Sequence, residues 1–251
     1  IARDWMHEIR HTPSELRRQS APVRTISEQD RERDPTAARL RIPSRAFAFL
    51  RAQLPQGPVL VQVPMGGFAA ALACERCRNL ARCPRCESMM RARRRDQPEC
   101  AMCGHRPVRW ECRECHGTKL RMPLPGADRT AEELARAFPG VLAINSSGER
   151  IRDEAPNEPG IVVATPGAEP RVDGGYAGLL ILDADVTLSR ADVAAPEEAM
   201  RRWMHALALV RPPTEGGSAL IVGAELHPAV QALARTDAVG LAERELADRT
   251  A

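Results

Sequence analysis

VLVQVPMGGFAAALACERCRNLARCPRCESMMRARRRDQPECAMCGHRPVRWECRECHG, residues 59–117, opens as an apolar run between two prolines and passes into eight cysteines. VLVQV (59–63) reads as a buried strand, because β-branched residues without polar alternation fit a parallel sheet covered on both faces. The cysteines follow as Cys74-x2-Cys77-x5-Cys83-x2-Cys86-x13-Cys100-x2-Cys103-x8-Cys112-x2-Cys115. A C-x-x-C pair in a tight turn aims two thiolates at one tetrahedral zinc, and two such pairs complete a four-thiolate site. Four pairs therefore imply two structural zinc ions per chain. A redox C-x-x-C needs one pair beside a helix, not four in series.

Sequential, interleaved and nested groupings all satisfy that count. The 13 residues between Cys86 and Cys100 suit a ribbon hairpin, which favours the nested grouping. One ion then takes Cys74, Cys77, Cys112 and Cys115, and the other Cys83, Cys86, Cys100 and Cys103. Gly104 directly follows Cys103, where such a turn often needs positive φ. The segment has few large apolar side chains, so metal binding of roughly 10–16 kcal/mol per site must replace a core. Within 74–115, eleven arginines face six carboxylates. Arg91, Arg93, Arg94 and Arg95 occupy the hairpin tip, where a phosphate backbone can reach them. Trp110, the aromatic of this segment, is expected to pack over a cysteine turn.

Outside the cysteines, VLAIN (141–145), GIVVAT (160–165), GLLILDAD (178–185) and SALIVGA (218–224) read as further buried strands. Helical patterns lie between them, at residues 37–54 with Pro43 near the start, 130–138, 196–210 and 228–235. Thr130 and Glu133 have the spacing of a capping box. This alternation predicts a parallel, three-layer α/β fold with the zinc ribbon inserted after its first strand. Residues 1–35, polar and charged from Ser27 to Pro35, read as linker. The chain starts at Ile1 and is expected to be a segment of a longer protein.

Lys119 is the sole lysine among 36 basic residues, and the net charge is only +3. That balance permits a DNA partner without requiring one. No apolar run reaches the roughly 18 residues of a membrane span. Cysteines confined to paired turns point to a reducing cytoplasm rather than a disulfide framework. No G-x-x-x-x-G-K-[ST] phosphate loop is present. LLILDAD reads as a strand ending in ordinary acidic capping at Asp183 or Asp185, and the six histidines form no metal or triad pattern. The residues offer no self-contained active site.

In order, these features resemble the PriA family of bacterial replication-restart proteins, superfamily-2 DNA helicases whose second motor lobe carries a two-zinc insertion. PVLVQVPMGGFAAALAC (58–74) is similar to the family's strand and RRGF-x-x-x-L-x-C entry to the zinc module. The paired cysteines, including Pro84, match closely. HGT (116–118), EEL (132–134), AFPG (137–140) and LLILDADVTLSRADVAAPEEA (179–199) follow in family order. The resemblance implies a RecA-like second lobe made of 36–73 and 116–251, an inserted zinc domain at 74–115, and the end of an upstream lobe plus linker at 1–35. It also implies nested zinc pairing; the family binds ATP, and the departures from its motor motifs argue against that here.

The departures fall on the motor. Motif V, roughly GTQM-x-x-KGHDFP in active members, corresponds here to ATPGAEPRVDGGY (164–176). Motif VI, Q-x-x-GRAGR, corresponds to MHALALVRPP (204–213), which keeps only Arg211. The RRGF arginines are replaced by Met65-Gly66. An arginine at the γ-phosphate is worth orders of magnitude in phosphoryl transfer. The resemblance thus implies a protein that binds forked or single-stranded DNA and meets primosome and single-strand-binding proteins, without unwinding DNA itself. The alternatives are an active ATP-dependent 3′→5′ helicase and a zinc-ribbon scaffold for protein contacts.

Overall fold

The computed structural model describes residues 13–34, 42–64, 70–77, 79–92, 98–121, 127–188 and 192–250. The chain runs α1 (Pro13–Gln19), β1 (Val23–Thr25), α2 (Glu28–Arg33), α3 (Ser44–Gln53) and β2 (Val59–Gln62). Five short strands of the cysteine region follow: β3 (Ala70–Ala71), β4 (Ala73–Cys74), β5 (Met90–Ala92), β6 (Glu99–Cys100) and β7 (Leu120–Arg121). Then come α4 (Ala127–Ala137), β8 (Leu142–Ser146), β9 (Gly160–Ala164), β10 (Gly178–Ile181), α5 (Ala184–Leu188) and α6 (Ala195–Leu207). β11 (Ser218–Ile221), α7 (Pro228–Arg235) and α8 (Ala238–Thr250) complete it.

Six strands form one sheet in the order β1-β11-β10-β2-β9-β8, every neighbouring pair parallel. Alternation along each strand divides its side chains between two cores. Val59, Val61, Ile161, Val163 and Leu180 meet Ala46 and Leu50 of α3 and Leu134 of α4. Leu60, Val162, Leu179, Ile181 and Ala219 meet Met200 and Trp203 of α6 and Val230 and Leu233 of α7. The result is the expected three-layer α/β arrangement. α3 comes very close to the sheet at Gly178, where a Cβ would sit 3.0 Å from Gln53 Cγ and 3.1 Å from Phe49 Cζ.

Three expectations change. The stretch read as linker holds helix, strand and helix, and Val23–Thr25 forms the sheet edge by pairing with Ala219–Ile221. Thr130 lies inside α4 and is fully buried, so it is not the cap that starts this helix. The 196–210 pattern ends as helix at Leu207, and Val210 instead bridges to Tyr176. Pro43 does stand at the N-cap of α3, with ψ 159°.

The cysteine region leaves the sheet between β2 and α4. Its entry and exit strands, β4 and β7, pair antiparallel, and β3-β5-β6 form a second small sheet. β5 and β6 make the expected hairpin.

Candidate metal centre

All four C-x-x-C turns close in the same way. The amide of the first cysteine donates to the carbonyl five residues on: Cys74 to Asn79 at 2.9 Å, Cys83 to Ser88 at 2.7 Å, Cys100 to His105 at 2.8 Å, and Cys112 to Gly117 at 2.9 Å. In the three turns where the residue after the second cysteine is among the described residues, it is left-handed: Glu87 (φ 61°), Gly104 (φ 67°) and His116 (φ 57°). Its amide donates to the first cysteine's carbonyl at 3.0, 3.2 and 2.9 Å respectively. Glycine alone takes that conformation without steric cost, so the backbone of Glu87 and His116 is held by the turn itself. Amides also point at sulfur: Arg85 N–H at Cys83 Sγ (3.3 Å), and Met102 and Cys103 N–H at Cys100 Sγ (both 3.4 Å).

The turns bring the eight sulfurs into two groups, Cys74/Cys77/Cys112/Cys115 and Cys83/Cys86/Cys100/Cys103, with all ligand atoms of a group within 4.8 Å of one another. Among the described residues these are the groups able to hold a metal ion. Cys74–Cys115 and Cys77–Cys112 sulfurs are 3.5 Å apart in the first group. In the second, Cys86–Cys100, Cys86–Cys103 and Cys83–Cys103 stand at 3.3, 3.4 and 3.9 Å. A tetrahedron with metal–sulfur bonds of about 2.3 Å has sulfur–sulfur edges of about 3.8 Å, so both groups fit a four-thiolate ion with minor adjustment. None of the eight forms a disulfide.

Packing four thiols together spreads their acidities. Burial opposes ionisation of Cys74, but the amides of Cys77 and Arg76 and the thiols of Cys115 and Cys77 bring it down to about 7. Burial likewise opposes ionisation of Cys100, and the amides of Cys103 and Met102 with the thiols of Cys86 and Cys103 bring it to about 6. Burial, with its thiol neighbours, pushes Cys77 up to about 12. Each group thus holds a ready thiolate whose charge a cation would share.

Sequence reasoning did not single out Gly117. A Cβ there would lie 3.1 Å from Cys74 Sγ and 3.3 Å from Cys115 Sγ, so glycine lets the exit strand pass directly over the first group. The dipeptide following the last C-x-x-C was the available signal. Trp110 is 5% exposed, packs with Cys83, Cys100 and Cys112, and donates from Nε1 to Arg82 O at 2.9 Å. Arg91 is paired with Glu99, at 3.1 Å from Nε and 3.0 Å from a terminal nitrogen. Arg93, Arg94 and Arg95 lie outside the described residues, as do Met65 and Gly66.

Arg211 is engaged at the opposite end of the sheet from its expected phosphate role. Its Nε donates to Gly174 O and Gly175 O, each at 3.1 Å, and its terminal nitrogens to Gln56 O (2.8 Å) and Asn157 Oδ1 (2.9 Å). Those partners precede β10, β2 and β9, so Arg211 ties together the amino ends of the strands. Ligands of open α/β sheets bind at the carboxyl ends. There, Asp185 sits in the first turn of α5, and burial holds its carboxyl above the usual range.

No family model matches the chain. It is 43% identical to the "Probable replication restart protein PriA" of Mycobacterium tuberculosis, over 98% of this chain and 38% of that protein. The Mycobacterium leprae protein of the same name is also 43% identical, over 98% of this chain and 39% of its own length. The Deinococcus radiodurans one is 34% identical over 107 residues. The chain therefore spans less than two fifths of the mycobacterial relatives, and that span takes in both the parallel sheet and all four cysteine turns. Along nearly its whole length, the chain is a PriA-like protein.

Proposed function

We propose that this chain is the zinc-bearing part of a replication-restart protein that binds branched or single-stranded DNA and helps assemble the primosome without unwinding DNA itself. In this reading the six-stranded sheet, with Val23–Thr25 as its edge and residues 36–73 and 116–251 as its body, is a RecA-like second lobe, and 74–115 are an inserted zinc domain. Cys74, Cys77, Cys112 and Cys115 ligate one zinc, and Cys83, Cys86, Cys100 and Cys103 the other. Free paired thiols fit a reducing cytoplasm. Arg93, Arg94 and Arg95, with Arg91, are assigned to the phosphate backbone.

The observation that carries the reading is the 43% identity along 98% of the chain, with both sulfur groups inside it. Loss of motor activity is supported by Arg211. The one arginine of residues 204–213 spends its guanidinium on strand-end carbonyls at the sheet end opposite to where nucleotide chemistry is placed in such folds. Arginines on phosphates make affinity fall with salt. Binding of a labelled fork at several salt concentrations, with ATP turnover measured alongside, tests the proposal. Salt-dependent binding without fork-stimulated turnover is expected. Stimulated turnover would restore the helicase reading, and absence of salt-dependent binding would leave a protein scaffold.

A further inference from the structure

The two sulfur groups differ in how far they open to solvent. In the first, Cys74 and Cys112 are buried and Cys77 and Cys115 half-buried, and each close contact pairs a buried sulfur with a half-buried one. Gly117 passes over that group, Arg76 donates to Cys115 O at 3.2 Å, and the β4–β7 ladder closes the segment where it is entered and left. In the second group Cys83 and Cys100 are fully buried, whereas Cys86 and Cys103 are both exposed and face each other at 3.4 Å.

We infer that Cys86 and Cys103 form an oxidant-sensitive pair through which the ion of the second group, the tip ion, is released while the ion of the first group, the base ion, stays. The inference rests on the zinc assignment proposed above. A peroxide is the co-reactant. One thiolate attacks the O–O bond, giving a sulfenic acid and hydroxide. The second thiolate attacks the sulfenic sulfur, forming the disulfide and expelling a second hydroxide. Two thiolates are oxidised by two electrons and one peroxide is reduced to two hydroxides, which take protons from solvent. The sulfurs close from 3.4 Å to about 2.0 Å. The tip ion is left with two donors and dissociates, freeing the β5–β6 hairpin that carries Arg91.

The alternative partner for Cys86 is Cys100, at 3.3 Å. Cys100 is fully buried and its sulfur already accepts the amides of Met102 and Cys103, so peroxide meets the exposed pair first. The first group presents no exposed sulfur.

Zinc content of the purified chain is measured first, then release during titration with hydrogen peroxide using a colorimetric chelator, with disulfides mapped by mass spectrometry. Expected is one zinc released at least about tenfold faster than the other, a Cys86–Cys103 disulfide at that stage, and recovery on adding dithiothreitol and zinc. Two zinc ions leaving together, the base group oxidising first, or a disulfide between other cysteines would overturn the inference and leave the zinc assignment standing. A protein that binds no zinc overturns both.

Discussion

Replacing Arg211 with alanine separates a structural arginine from a phosphate-binding one. Its guanidinium makes four hydrogen bonds, three of them open to water and the bond to Gly175 O partly buried. Bonds that water can replace contribute roughly 0.5 kcal/mol each, and a partly buried one about 1 kcal/mol. The expected loss on Arg211→Ala is therefore about 2.5 kcal/mol. With a urea dependence of roughly 2 kcal/mol/M, the unfolding midpoint falls by about 1.2 M with its slope unchanged. Arg211→Lys recovers less than half, since one ammonium cannot span carbonyls preceding three strands. A midpoint shift below about 0.25 M for the alanine variant, or full rescue by lysine, would refute the strand-tying role. Stability unchanged with ATP turnover abolished would return Arg211 to phosphate chemistry.

Gly217→Ala should destabilise the sheet severely, because its Cβ would overlap the Arg211 carbonyl oxygen, while Gly216→Ala meets nothing within 4 Å and costs only left-handed backbone strain, about 1 kcal/mol; thermal melts of the two distinguish them. His227 caps α7 by accepting the Ala229 amide on Nδ1 at 3.1 Å, and burial lowers its pKa, so its contribution is present above the unfolded value near 6.5 and lost as pH falls through the folded one. Melting temperature should drop between pH 7.5 and 5.5, and His227→Asn, which caps without titrating, should flatten that slope; an unchanged slope sinks the assignment. Chelation should unfold the cysteine region before the sheet: Trp110 emission shifts red while Trp203, 1% exposed in the sheet core, stays protected from iodide. Joint exposure of both tryptophans would show one cooperative unit instead.

Signals confined to a few residues were the legible ones. The eight cysteines carry their turn geometry in their spacing, and the fully buried β2, β9 and β10 carry their burial in unbroken apolar runs. β1 escaped because VRT is three residues long with an arginine at its centre, and its partner lies almost two hundred positions away. α8 buries only Leu241 and has little apolar periodicity to read. Thr130 and Glu133 mimic a cap by spacing alone, yet Thr130 is fully buried within the helix. Arg211 stands out in the sequence only for the motif around it; its partners come from three separate segments, which only the fold brings together.

That role separates what holds the sheet together from where a ligand of such a sheet would sit. The strands are held by two cores lying between their ends and, at the amino ends, by the Arg211 contacts. Nucleotide chemistry in such folds belongs to the loops at the opposite ends. Those loops can change with little effect on the packing that defines the sheet, because they contribute few side chains to either core. The cysteine region is similarly self-contained, with its own small cluster of Leu72, Met90, Trp110 and the thiols, entered and left through the paired β4 and β7. Sheet and sulfur groups therefore rest on interactions physically separate from the loops at the carboxyl ends of the strands, so change in those loops does not require loss of either.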